Sequence, residues 1–110
     1  MEISPIPERD IQRALDLVLR VFLAFEAPDY CEQGVETFRS FLRNSEELAK
    51  LRFYGAYEAD SLVGVLATRG LDGSHIALFF VDAPWQGRGV GRALFTAARE
   101  QCRGERMTVH

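Results

Sequence analysis

The residues with the most chemical content run from Phe79 to Leu94, FFVDAPWQGRGVGRAL. An apolar strand leads into a short loop, and Gly87, Gly89 and Gly91 then alternate with Arg88 and Val90 at the mouth of a helix. A helix start exposes backbone N–H groups that have no intrahelical partner, together with the positive end of the peptide dipoles, and both suit a phosphate or pyrophosphate. Glycine lets that backbone approach a ligand closely, and Arg88 and Arg92 add planar, permanently charged donors. Two common phosphate sites fail on spacing. A P-loop needs GxxxxGK followed by Ser or Thr, and the chain contains no such run. The dinucleotide fingerprint GxGxxG puts Arg92 in the last glycine position when begun at Gly87, and Leu94 there when begun at Gly89. Nucleotide hydrolysis and hydride transfer recede accordingly.

A sheet and helices must position this loop, and the hydrophobic pattern supplies them. Ile11, Leu15, Val18, Leu19, Phe22 and Leu23 recur at spacings of three and four and predict a helix from about residue 8 to 25, with Pro7 in its first turn. Glu2 to Ile6 is an opening strand before it. Ala27, Pro28 and Asp29 break the helix, and Val35, Phe38, Phe41 and Leu42 form a second stripe, followed by a further turn or two from Ser45 to Leu51. The period then becomes strand-like: Arg52 to Glu58, a tight turn at Ala59-Asp60-Ser61, and Leu62 to Thr68 read as a β-hairpin. Gly70, Asp72 and Gly73 mark another turn. His75 to Val81 is apolar on both faces, as a central strand covered by helices would be. A helix starts near Gly89, with Ala93, Leu94, Ala97 and Ala98 on one side, and Met107 to His110 begins a fifth strand. The order β-α-α-β-β-β-α-β predicts one α/β domain over residues 1–110, with helices on both faces of the sheet.

Composition narrows the function classes. Of 110 residues, 47% are hydrophobic and 26% charged, which excludes disorder and fibrous repeats. The net charge of -3 is unevenly spread: residues 1–87 hold 8 Lys or Arg against 14 Asp or Glu, whereas residues 88–110 hold 5 against 2. An acidic body with a basic tail argues against nucleic-acid binding and for a small anionic ligand near the tail. Cys31 and Cys102 lie far apart, with no CxxC spacing and no histidine at ligand distance, so neither a disulfide scaffold nor a metal site is expected. The longest uninterrupted apolar run, Ile76 to Val81, is far short of a membrane span, and the start has no secretory pattern. The expected compartment is the cytoplasm, with no membrane partner.

Gln86-Gly87-Arg88-Gly89-Val90-Gly91 matches Q-x-x-G-x-G, and here the chain resembles the GNAT (GCN5-related) family of acyl-CoA N-acyltransferases. The strand IALFFVD, the Pro84-Trp85 pair and the helix RALFTAARE are similar to that family's central strand, pyrophosphate loop and following helix. The likeness covers essentially the whole chain. It implies a GNAT-like mixed, mostly antiparallel central sheet and acetyl-CoA as cosubstrate, without a metal. By position, backbone groups of Phe79, Phe80 and Val81 would bind the pantetheine arm, and amides from Gln86 through Gly87, Arg88, Gly89, Val90 and Gly91 to Arg92 would hold the pyrophosphate. An amide near Phe80 or Val81 would face the thioester carbonyl, where negative charge develops as an amine attacks. His75 falls where some relatives carry a general base, and imidazole is a side chain suited to that task near neutral pH. Glu58 is a second candidate. The implied reaction is acetyl transfer to a primary amine of a small molecule or protein.

The chain also departs from the family pattern. Relatives usually continue into another helix, which carries a tyrosine that protonates the leaving thiolate, and then into closing strands; here Tyr30, Tyr54 and Tyr57 all precede the loop. His110 falls where relatives have a polar residue near the acetyl group. The exposed edge of the fifth strand predicts a homodimer. A catalytically weak or inactive coenzyme A binding remnant is the alternative function, and a glycine loop that is only a tight strand-to-helix turn is a third reading.

Overall fold

The structure is a computed structural model that describes residues 1–69 and 75–109, with side chains described through residue 100. The expected turn at Gly70, Asp72 and Gly73 and the terminal His110 lie outside the described residues.

Strand β1 (Glu2–Pro5) leads through a 3-10 turn at Glu8–Asp10 into helix α1 (Ile11–Val21). Ala14, Leu17, Val18 and Val21 form its buried stripe, as the three-and-four spacing requires. The helix then widens into a π-helical turn at Phe22–Glu26, and a 3-10 turn at Ala27–Asp29 containing Pro28 ends it. Helix α2 (Glu32–Leu42) and the short α3 (Ser45–Leu48) precede the hairpin of β2 (Leu51–Glu58) and β3 (Ser61–Arg69). Strand β4 (His75–Val81), a 3-10 turn at Ala83–Trp85 and helix α4 (Val90–Val109) complete the order.

The four strands form one antiparallel sheet in the order β1-β2-β3-β4. On one face, Leu17 and Val18 of α1, Phe22 of the π-helical turn and Leu42 of α2 share a core with Phe53, Val65, Leu78 and Phe80. On the other, Val90, Leu94 and Ala98 of α4 pack against Tyr54, Ala56, Val63 and Leu66. Alternation along β4 thus serves both layers: Leu78 and Phe80 belong to the first cluster, while Val81 packs on the second. Gly64 allows α4 to lie close to β3, since a Cβ there would stand 2.9 Å from both Leu94 and Val90 side-chain atoms.

Two expectations are corrected. Met107 to Val109 continue α4 instead of beginning a fifth strand. Adding residues to a formed helix gains one hydrogen bond each, whereas a four-residue strand must first find a paired edge. Strand β4 is consequently the edge of the described sheet and not its centre, and Ile76 and Phe79 are 37% and 40% exposed.

Candidate functional site

The loop after β4 is built by local hydrogen bonds. Asp82 donates its N–H to the Val63 carbonyl at 2.9 Å, closing the ladder, and its carboxylate accepts from Ala83 N at 3.0 Å to cap the 3-10 turn. The same carboxylate pairs with Arg20 of α1 at 3.0 Å, so the one acid beside the loop has its own cation. Gln86 turns back, and its Nε2 donates to the Val81 carbonyl at 2.9 Å. Gly87 and Gly89 follow at φ 78° and 83°. This left-handed backbone favours glycine, and a Cβ at either position would meet nothing within 4 Å. The glycines are therefore demanded by backbone conformation, and they leave open space in front of the loop.

Ala93 N bonds to the Gly89 carbonyl at 3.0 Å, which makes Gly89 the residue before the first helical turn. The N–H groups of Val90, Gly91 and Arg92 therefore have no acceptor within the helix. They and the dipole face the open side of the glycine loop, where Arg88 and Arg92 are exposed. The Arg88 guanidinium lies 5.3 Å from the centroid of half-buried Trp85. Gly91 has a packing role as well, because a Cβ there would meet the Phe79 ring at 3.4 Å.

Strand β4 contributes a second set of free groups. Its register with β3 pairs Val65 with Phe80 and Gly64 with Val81, and the Asp82-to-Val63 bond fixes which residues point inward. In an antiparallel ladder the backbone groups alternate in direction, so those of Leu78 and Phe80 face β3 while those of Phe79 and Val81 face the open edge. Gln86 occupies the Val81 carbonyl. Among the described residues, the outward N–H groups of Phe79 and Val81 and the Phe79 carbonyl have no backbone partner. Phe80, expected to contribute backbone groups, instead offers its ring to the α1/α2 face.

On that face a cleft of about 290 Å³ lies between the π-helical turn and the same strand. Its aromatic side is ordered: Phe22 stacks on Phe38 with centroids 4.0 Å apart, and Tyr30 meets Phe22 edge-on at 5.2 Å. Ile76 to Phe80 form the other side, and Glu26 is the one charged residue of the lining among the described residues. Periodicity marked Phe22 and Phe38 as core; that they also wall a cleft depends on the turn that ends α1.

The two side chains expected to handle protons do not converge. His75 is exposed at the start of β4, opposite Arg69, while Glu58 is opposite Ser61 at the far end of β3. The span from Ser61 to Arg69 is about 26 Å at roughly 3.3 Å per residue. Glu58 also stands 3.6 Å from the amino-terminal ammonium group. His75 borders Ile76, the first β4 residue of the cleft.

A family model described as acetyltransferase (GNAT) domain matches residues 26–110. Among solved structures, a GCN5-related N-acetyltransferase from Rhodopseudomonas palustris superposes with a TM-score of 0.77 at 21% identity, covering 94% of this chain and 66% of its own. A PaiA N-acetyltransferase from Thermoplasma acidophilum in complex with coenzyme A gives 0.73 at 16% identity, covering 96% and 74%. An aminoglycoside 6'-N-acetyltransferase complexed with coenzyme A gives 0.63 at 14% identity, covering 96% and 57%. The chain thus spans less than two thirds of the length of the first and third of these. No curated protein matches it.

Proposed function

The chain belongs to the GNAT acetyltransferase family, and on that premise we propose that it transfers an acetyl group from acetyl-CoA to a primary amine of a small molecule or protein. The observation that carries this reading is the continuity of free backbone donors from the amides of Val90, Gly91 and Arg92, past the open space at Gly87 and Gly89, to the outward N–H groups of Val81 and Phe79. A pyrophosphate fits the first group and an amide-bearing arm fits the second, in the manner of an added strand.

Acetyl-CoA supplies a thioester: the ammonium first gives one proton to a base, the neutral amine nitrogen bonds to the carbonyl carbon, the C–S bond breaks, and the second proton, lost from the nitrogen as the amide forms, goes to the departing thiolate. In this reading the amides of Gln86 to Arg92 hold the pyrophosphate, with Arg88 and Arg92 adding charge. The outward N–H of Val81 or Phe79 stabilises negative charge on the carbonyl oxygen, a contribution of a few kcal/mol when the donor is already oriented. The amine approaches from the cleft, and His75 at its border takes the proton through water. Glu58, held by the amino terminus across the sheet, has no part in it.

Cytoplasmic location belongs to the same reading. The homodimer inferred from an exposed fifth strand has no such strand to rest on, since those residues continue α4. The open β4 edge is the alternative surface, and a dimer through it and coenzyme A binding would exclude one another. Binding without turnover is the second functional reading, favoured by the separation of His75 from Glu58.

The test is acetyl-CoA-dependent thiol release with a panel of amines, together with coenzyme A titration followed by Trp85 fluorescence. Turnover with any acceptor supports transfer, and saturable binding without turnover supports the second reading. A flat titration by both fluorescence and calorimetry rejects both and leaves the loop as a structural turn.

A further inference from the structure

Resting on the acetyltransfer reading, we propose that Trp85 is a positioning residue for the cofactor: its indole ring holds the Arg88 guanidinium at the glycine loop, so that the pyrophosphate of coenzyme A meets a cation already in place. The two residues are anchored differently. Trp85 closes the 3-10 turn after β4, its N–H donating to the Asp82 carbonyl at 2.9 Å, and its half-buried ring packs against the cluster that joins Tyr54 and Ala56 to Val90 and Leu94. The core therefore fixes the ring. Arg88 is exposed between Gly87 and Gly89, where a Cβ at either glycine would meet nothing within 4 Å. Among the described residues its side chain makes no hydrogen bond or ion pair, and its partner is the Trp85 ring, 5.3 Å from guanidinium to centroid.

The backbone builds this contact. Gln86 at φ -68° and ψ 143°, followed by Gly87 at φ 78°, matches the central pair of a type II turn, which brings its first and fourth residues, Trp85 and Arg88, together. Arg92 differs, since it lies on α4, exposed and without an aromatic partner among the described residues. An arginine that moves freely in water loses about two- to tenfold in affinity when a ligand must immobilise it. One already resting on an indole has given up part of that freedom beforehand. The two contacts are compatible, because a ring takes the face of the guanidinium and a phosphate takes the N–H donors at its edge.

Calorimetric titration of the intact chain with coenzyme A tests this in the parent, Trp85→Leu, Trp85→Phe, Arg88→Gln and the Trp85→Leu/Arg88→Gln double variant, with circular dichroism as the control for folding. Expected are a loss of about five- to tenfold in Arg88→Gln, about threefold in Trp85→Leu, and a smaller loss in Trp85→Phe, which keeps an aromatic face. In the Arg88→Gln background Trp85→Leu should change affinity by less than about 1.5-fold, whereas combined with Arg92→Gln it should still cost about threefold. Equal losses in the two backgrounds would mark Trp85 as merely structural and overturn the proposal. Unchanged or tighter binding in Trp85→Leu would overturn it too, because Arg88 would then have to leave the ring to reach the ligand. Should Trp85→Leu fail to fold, Trp85→Phe carries the same cycle. In the ligand-free chain, the Arg88 Cδ protons should show an upfield NMR shift that Trp85→Leu or Trp85→Phe reduces, and a random-coil position in the parent would refute the contact. A parent that binds no coenzyme A rejects the acetyltransfer reading and this proposal with it, while binding with additive variants rejects this proposal alone.

Discussion

Gln86 Nε2 and the Val81 carbonyl oxygen lie 2.9 Å apart, so the first residue of the glycine loop holds the last residue of the strand that leads into it. The bond satisfies the one outward carbonyl at that end of β4 and leaves the Val81 N–H as a donor of fixed direction. It joins the two groups of free amides into one surface.

Replacing Gln86 by Ala should weaken coenzyme A binding by up to about tenfold, the worth of roughly one hydrogen bond, while thermal stability changes by less than about 1 kcal/mol. Gln86→Glu should cost more, because a carboxylate would face the Val81 carbonyl. Trp85 fluorescence during titration reads both variants.

Gly89 and Gly64 should fail for different reasons. Gly89→Ala meets no atoms but must hold φ near 83°, at a cost of about 1 to 2 kcal/mol. Gly64→Ala keeps ordinary backbone but drives a methyl toward Leu94 and Val90 atoms 2.9 Å away, an overpacking cost of about 1 to 3 kcal/mol. Thermal unfolding measures both losses. Coenzyme A titration separates the variants, since Gly89→Ala also displaces the amides proposed to hold the pyrophosphate.

The Arg20–Asp82 pair, with side chains 58% and 26% exposed, should couple by only about 0.2 to 1 kcal/mol in a double-mutant cycle followed by urea unfolding. Asp82→Ala should destabilise more than Arg20→Ala, because it also removes the cap on Ala83 N. Equal effects of the two single variants would show that the cap contributes nothing.

Tyr57 predicts an alkaline response. Burial raises its pKa above the ordinary phenol value, and the hydrogen bond to Asp10 at 3.1 Å raises it further. The folded chain therefore holds the phenolic proton more tightly than the unfolded chain. The resulting stability is fully present below the unfolded pKa of about 10 and is lost as pH rises through the higher folded value. Urea midpoints measured across that range should fall with pH, and Tyr57→Phe should flatten the fall while lowering stability at neutral pH by about 0.5 to 1 kcal/mol.

Periodicity identified α1, α2, the hairpin and β4 because each has an apolar pattern that a single period describes, and helices do cover both faces of the sheet. Met107 to Val109 misled because a short apolar-polar run satisfies a strand pattern and a helical continuation equally well, and only a neighbouring edge distinguishes them. The apolar faces of β4 suggested a central strand, yet a strand at the edge of the described sheet also needs two such faces when helices pack on both sides. His75 and Glu58 were plausible separately as residue types. Strand register puts them at opposite ends of β3, and sequence spacing does not encode that separation.

The sequence alone determined the glycine loop and the helix start that follows it, because conformation at Gly87 and Gly89 and the free amides of a helix start are local properties of a few consecutive residues. Tertiary structure decided which backbone groups of β4 face outward, which acid has a partner, and that Phe22, Glu26, Tyr30 and Phe38 share a cleft with Ile76 to Phe80. Those relationships join segments that are separate along the chain, such as β3 with β4 and Arg20 with Asp82, the last two 62 positions apart, and they exist only once the sheet register and the packing of α1 have fixed the distances between them.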